Sequence, residues 1–562
     1  MFRLLLSFLC AAAVAATPEV IVKQTRVLGT TSPSVDGLEL FLGIPYATPP
    51  LGQRRYKPVS LFDIESALGA TTFNASQFGP ACLQLNPPTP ISEDCLSLNV
   101  YRPAILDING KKLPVLVWIH GGDYVAGSAR IYDGSQIVKR SEERGTPIIL
   151  VSINYRLGPV GFAIGGDATR HGALNLGLKD QLVALEWVHA YIAYFGGDPD
   201  KVTLWGESAG AHSVDIHLYG TTLQRFARAG IIESTYWDPQ YGPEHGVENW
   251  EAFVCAAGCG SDFSEIDCLR RADVTEQDLL AGWAAAANEL AFNPVVDGPG
   301  GVLPDLPSRL KPRSRIPVIL GSCMDEGTLF TPQNVNTTAP IRDWIISHST
   351  PSAAGQEALE QAADRLLEVY PDVAALGAPF GTGNNTFGLD SQYKRWAALW
   401  GDFSLEAHTR ELRHLISSLD DMPLFGYQFA DADARFIDIG QASGSLGGEH
   451  SLLKDVDGRL PFSVAHGTDL PYIFGSGATV LGDLRTPLAQ ALSTQMMDYW
   501  ISFVISLDPN DGKGSKRLRW RPYTESNKMV LKLNGTSSMH VADTWREEQI
   551  AFIGANVDIW HR

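Results

Sequence analysis

The chain of 562 residues has no excess of positive charge: 44 lysines and arginines face 63 aspartates and glutamates, for a formal net charge of −19. That balance predicts neither nucleic acid nor an anionic membrane surface as a partner, and a solvated acidic surface is the plain consequence. Long apolar runs are also missing. One apolar stretch, residues 4–16 after Met1-Phe2-Arg3, ends in small residues and is shorter than the ~20 residues a spanning helix needs. That basic, apolar and cleavable pattern predicts a secretory signal peptide over 1–16, a secreted protein with no stable membrane anchor, and a mature chain from Thr17.

Cysteine is scarce, with seven in all. Outside the leader stand Cys82, Cys95, Cys255, Cys259, Cys268 and Cys323, and no histidine cluster at zinc spacing accompanies them. Export favours disulfides over metal ligation. Asp455-Val456-Asp457-Gly458 resembles part of a calcium loop but lacks the distal ligands, and no phosphate-binding loop follows a strand, so no metal and no cofactor is predicted. The glycine-rich stretches 298–301 and 444–448 read as plain loops. Sequons at Asn74, Asn336, Asn384 and Asn534 are glycosylation candidates. With no linker, repeat or low-complexity tract, residues 17–562 read as a single domain; nothing in the sequence sets an oligomeric state.

Apolar runs with strand character recur at 113–119, 147–153, 202–205, 316–320 and 424–429. Between them, Leu178, Leu182, Leu185, Val188 and Ile192 form one stripe of an amphipathic helix over 176–195, which Gly196-Gly197-Asp198-Pro199 stops. Strands alternating with such helices predict an α/β fold with a mostly parallel sheet covered on both faces. The first forty mature residues predict a small antiparallel flap, and the helix-rich region 341–415 is placed over the carboxyl edge of the sheet.

Gly206-Glu207-Ser208-Ala209-Gly210 directly follows the run 202–205 and has the form of a nucleophile elbow. A strand that turns sharply into a helix at Ser208 would expose its hydroxyl and aim the Ala209 amide at the same point. Serine is a weak nucleophile at neutral pH, so this reading requires a histidine base, an orienting acid and oxyanion donors.

These residues belong to a longer series. It runs from Phe41-Leu42-Gly43-Ile44-Pro45-Tyr46-Ala47 through Ser92-Glu93-Asp94-Cys95-Leu96, Trp118-Ile119-His120-Gly121-Gly122, Asn154-Tyr155-Arg156 and Phe195–Pro199 to the elbow. It continues with Asp325-Glu326-Gly327, His466-Gly467-Thr468-Asp469 and Asp508-Pro509-Asn510. In that order the motifs resemble the type-B carboxylesterases of the α/β-hydrolase superfamily, the group of cholinesterases and large secreted fungal esterases and lipases. The resemblance covers nearly the whole mature chain.

It implies an α/β-hydrolase fold and a Ser208–His466–Glu326 triad, with Asp325 as the rival acid, cast as a structural or cap residue, and His450 as the rival base. Oxyanion donors would be the amides of Gly122, Asp123 and Ala209. Asp123 stands where the family has a third glycine, which would bring a carboxylate beside a developing negative charge. The resemblance also implies disulfides Cys82–Cys95 and Cys259–Cys268 and the ion pairs Arg55–Glu93 and Arg156–Asp180. Cys255 and Cys323 either bridge or stay free.

The function implied is hydrolysis of a small carboxylic ester through an acyl-enzyme. Residues 83–94, enclosed by Cys82 and Cys95, hold Pro87, Pro88 and Pro90 and are too short for a lipase lid, which predicts soluble short- or medium-chain esters. Two alternatives stand beside this: a triad-dependent acyl-transfer or biosynthetic enzyme, and a cholinesterase-like binding protein without catalysis.

Overall fold

The computed structural model describes residues 17–562 apart from 65–70, 86, 88–89, 106–109, 238–240, 261–262, 289–290, 435–463, 476–483, 485 and 536. Its strands in chain order are β1 (Glu19–Val22), β2 (Thr25–Leu28), β3 (Thr30–Thr31), β4 (Leu38–Pro45), β5 (Thr72–Asn74), β6 (Ser97–Pro103) and β7 (Leu113–Ile119). There follow β8 (Ile149–Ile153), β9 (Gly197–Glu207), β10 (Ala229–Glu233), β11 (Val318–Cys323), β12 (Leu424–Phe429), β13 (Met529–Leu533) and β14 (Met539–Ala542).

Eleven of these make one sheet in the order β14-β13-β12-β11-β10-β9-β7-β8-β6-β4-β3. The seven central strands, β8 to β13 through β7 and β9, pair in parallel; antiparallel neighbours occur only toward the two edges. At the N-terminus β1 and β2 form an antiparallel hairpin to which β5 adds in parallel. The remainder of the N-terminal β-structure, β3 and β4, joins the large sheet.

Both faces of the sheet are covered, and side-chain alternation sorts the core into two layers. Val115, Val117 and Ile119 of β7 face one cluster with Leu178, Leu185 and Val188 of the helix Leu176–Tyr191. Leu116 and Trp118 face the other with Leu492, Met496, Trp500 and Phe503 of the helix Pro487–Ser506. Trp118, Trp205 and Phe474 pack ring against ring there, with centroids 4.2–5.0 Å apart. Each such buried aromatic contributes roughly 1.5–3 kcal/mol relative to exposure. The helix over 176–191 continues as a 3₁₀ turn, Ile192–Phe195, and ends at Gly196 with φ 91°, a left-handed stop that suits glycine.

The helices Ala339–His348, Gln356–Val369, Tyr393–Gly401 and Ala407–Ser417 share a third apolar cluster. One of them, Tyr393–Gly401, packs on the turn just past the carboxyl end of β11. A Cβ on Gly327 would lie 2.1 Å from the Ala397 carbonyl oxygen, so glycine alone allows that approach. Cys82 is joined to Cys95 and Cys259 to Cys268, while Cys255 and Cys323 are free thiols, exposed and buried respectively. Arg55 meets Glu93 and Arg156 meets Asp180 at 2.6 Å, all four residues buried.

Asn74, Asn336 and Asn384 are exposed, whereas Asn534 is half-buried and its amide donates to the Ala430 carbonyl at 3.2 Å. Asp455–Gly458, the stretch 444–448 and His450 lie outside the described residues. Among the described residues no helix is long and apolar enough to cross a membrane, and no group of acidic, histidine and cysteine side chains could hold a metal ion.

Candidate active site

In an open α/β sheet the crevice lies beyond the carboxyl ends of the parallel strands. Four such ends converge here: β7 leads into Gly121–Asp123, β9 into Ser208, β10 into Ser234–Trp237, and β11 into Asp325–Glu326. Ser208 has φ 54° and ψ −125°, a conformation that costs an L-residue of order 1–3 kcal/mol and persists where surrounding structure fixes it. Its amide donates to the Glu233 carbonyl at 3.0 Å, and its carbonyl accepts from the His212 amide at 2.8 Å.

The flanking glycines serve close approach. A Cβ on Gly206 would sit 2.3 Å from the Gly210 carbonyl carbon, and one on Gly210 would sit 2.1 Å from the Ile119 carbonyl oxygen. On Gly121 a Cβ would fall 3.0 Å from the Ser208 Cβ, so the turn after β7 lies directly against the serine.

His466 Nδ1 lies 2.6 Å from Glu326 Oε2. A carboxylate only accepts, so Nδ1 carries the proton of this bond, and in the neutral ring Nε2 is the basic atom. The other Glu326 oxygen, Oε1, accepts from Ser234 Oγ and from the Cys323 amide, each at 2.6 Å. Glu326 is thus held from three sides. Asp325 points elsewhere: its Oδ1 accepts from the Phe380 amide at 2.8 Å, and burial pushes its pKa up to about 7. It stands at the N-cap position of the short helix Glu326–Thr328, where its side chain makes no cap hydrogen bond. Behind His466, the Phe330 ring stacks on Trp400 at 4.2 Å and approaches the imidazole to 5.3 Å.

Glu207 was legible only as the variable residue before the serine, yet its Oε1 lies 3.3 Å from His466 Nε2. Burial pushes the Glu207 carboxyl up to about 8, with His466 drawing it down. For His466, burial works against the imidazolium, but the Glu326 and Glu207 carboxylates outweigh it and raise the pKa to about 9. The two groups are coupled: ionised Glu207 supports His466⁺, and a protonated Glu207 leaves the imidazole free to act as a base.

Glu207→Gln removes a negative charge from beside Nε2, so the imidazole becomes less basic. The acid limb of the kcat/KM profile should move to lower pH by about 1–2 units. A pH–rate profile checks this, and a limb that stays or moves upward contradicts it.

Gly122, Asp123 and Tyr124 follow one another at φ 108°, 54° and 58°. This left-handed run is fixed by the Val125 and Ala126 amides, which both donate to the Gly122 carbonyl at 3.1 and 2.9 Å. The Asp123 carboxylate is engaged, because Tyr236 donates its hydroxyl to Oδ1 at 2.7 Å. Gln84 braces the far end of the turn. Its amide nitrogen donates to the Gly127 carbonyl at 3.0 Å and its oxygen accepts from the Gly127 amide at 3.1 Å.

Known proteins share this arrangement of sequence and fold. The profile described as the carboxylesterase family matches residues 16–553. Lipase 2 of Geotrichum candidum is 32% identical over 93% of each chain. The secreted triacylglycerol lipase LIP1 of Gibberella zeae is 31% identical over 96% of this chain and 91% of its own. Among solved structures, Aspergillus niger EstA superposes with a TM-score of 0.76 at 26% identity, covering 97% of this chain and 99% of that one. The fold is that of the α/β-hydrolases, the chemistry is serine-dependent hydrolysis of carboxylic esters, and this chain belongs to the carboxylesterase family.

Proposed function

We propose that the protein is exported, with residues 1–16 as its leader and 17–562 as one domain, and that it hydrolyses soluble short- or medium-chain esters with a Ser208–His466–Glu326 triad. The observation that carries the triad is the 2.6 Å contact of His466 Nδ1 with a Glu326 carboxylate already anchored by Ser234 and Cys323. His466 Nε2 takes the Ser208 proton as Oγ attacks the ester carbonyl, and the amides of Gly122, Asp123 and Ala209 receive the oxyanion. The imidazolium returns its proton to the departing alcohol. Water, deprotonated by the same nitrogen, then releases the acid and restores Ser208.

The substrate class rests on the segment between Cys82 and Cys95. A lid that opens on an oil surface needs a hinge at its base and an apolar face. Here the base is fastened: the Ala81 amide donates to the Pro90 carbonyl and the Ser92 amide to the Ala81 carbonyl, both at 3.0 Å. Leu83 and Gln84 are buried, and the Ser92 hydroxyl and Glu93 amide donate to Glu276 at 2.9 and 2.7 Å.

Although relatives carry the name lipase, this fastening favours an esterase with little interfacial activation. Rate should rise smoothly with ester concentration through the solubility limit. A sharp jump as emulsion droplets form would assign the protein to the lipases instead.

A further inference from the structure

We propose that Tyr236 is a positioning residue that holds the Asp123 carboxylate away from the oxyanion, so that an aspartate in this turn is compatible with fast ester hydrolysis. The inference rests on the Proposed function reading, in which the Asp123 amide is an oxyanion donor. Its ground is a direct bond between the two side chains: Tyr236 OH donates to Asp123 Oδ1 at 2.7 Å. The backbone of Asp123 is fixed at φ 54°, so the amide and the carboxylate leave the same constrained carbon, and only the side-chain torsions decide which way the charge points.

Tyr236 is suited to set those torsions. It is 8% exposed, two residues beyond Ser234, which itself anchors Glu326. Its ring packs against His212, one turn into the helix Ala209–Tyr219 that starts at the nucleophile, with centroids 4.9 Å apart. A short segment at the end of β10 thereby orients the acid of the triad through Ser234 and the oxyanion turn through Tyr236.

The direction of the effect follows from charge. A carboxylate free to turn toward a developing oxyanion at a separation of about 6 Å opposes it, by an amount equivalent to roughly 10²-fold in rate at an effective dielectric constant near 20. A carboxylate bonded to a phenol hydroxyl keeps its charge where that bond holds it. Substrate binding precedes the charge, so the effect belongs to kcat rather than to KM.

A double-mutant cycle tests this. Tyr236→Phe keeps the ring and its packing on His212 and removes only the hydroxyl. In the natural background it should lower kcat by about ten- to a hundred-fold, with KM within about threefold. The same substitution introduced into Asp123→Asn, and separately into Asp123→Gly, should change kcat by less than about threefold, because no charge remains to be held.

Equal losses in all three backgrounds would mean that Tyr236 acts through packing alone and would overturn the proposal. So would an unchanged kcat in the natural background. Ser208→Ala measured alongside separates the two levels. Persistent turnover in that variant defeats the triad reading, whereas a flat cycle with a dead Ser208→Ala defeats only the role of Tyr236.

Discussion

Ser208→Ala eliminates ester turnover, with an expected fall in kcat of about 10⁴–10⁶-fold, and abolishes covalent labelling by an organophosphate. The size of the effect follows from the geometry. Only one hydroxyl emerges at the β9–helix junction, and the imidazole that would activate it is fixed by Glu326 at 2.6 Å. Removing Oγ leaves a base and an oxyanion turn with no atom to acylate. Stability should change little, because alanine keeps the Cβ and hence the same backbone strain at φ 54°. A thermal midpoint within a few degrees of the natural protein, measured on the same sample, separates lost chemistry from lost fold.

The next largest effects separate true members of the triad from their neighbours. His466→Ala should match Ser208→Ala, while His450→Ala retains most activity. Glu326→Gln should lower kcat by about 10²–10⁴-fold, because a neutral amide cannot stabilise the imidazolium. Its NH₂ would also compete with the Ser234 hydroxyl and the Cys323 amide, which both donate to the present Oε1. Asp325→Asn preserves the acceptor that the Phe380 amide uses and replaces a carboxyl that burial already pushes up to about 7. Activity within about threefold of the natural protein is expected, since no contact with His466 is altered. A ranking with Asp325→Asn the more damaging of the two, by kcat on one ester, contradicts the assignment of the acid.

The sequence made the frame of this site readable where the signal is local. Val115 to Ile119 is an apolar run because both faces of β7 are buried, and the elbow is readable because its glycines meet backbone that only glycine admits, at Gly206 against Gly210 and at Gly210 against Ile119. Edge elements were harder. The same holds away from the edges, where β6 and β13, each paired on both sides, carry mixed sequences such as Ser97-Leu98-Asn99 and Lys532-Leu533 whose polar members find partners only in the folded chain: Asn99, for example, donates to Ser152 Oγ at 3.1 Å.

The same limit hid several residues around the triad. Glu207 occupies the variable position of its motif, and nothing local shows that it will lie 3.3 Å from a histidine 259 residues later. Tyr236 and Asp123 are 113 residues apart, and Gln84 and Gly127 are 43 apart. These pairings join segments far apart in the chain, so they carry no periodicity or spacing of their own. Asp123 could be read as a problem from the sequence; its partner could only come from the fold.

The most direct test is to label the natural protein with a fluorophosphonate, digest it, and locate the adduct by peptide mass spectrometry. The triad assignment predicts a single modified site, Ser208, blocked in parallel with the loss of ester turnover. An adduct on any other residue, or full loss of turnover with Ser208 unmodified, would contradict it.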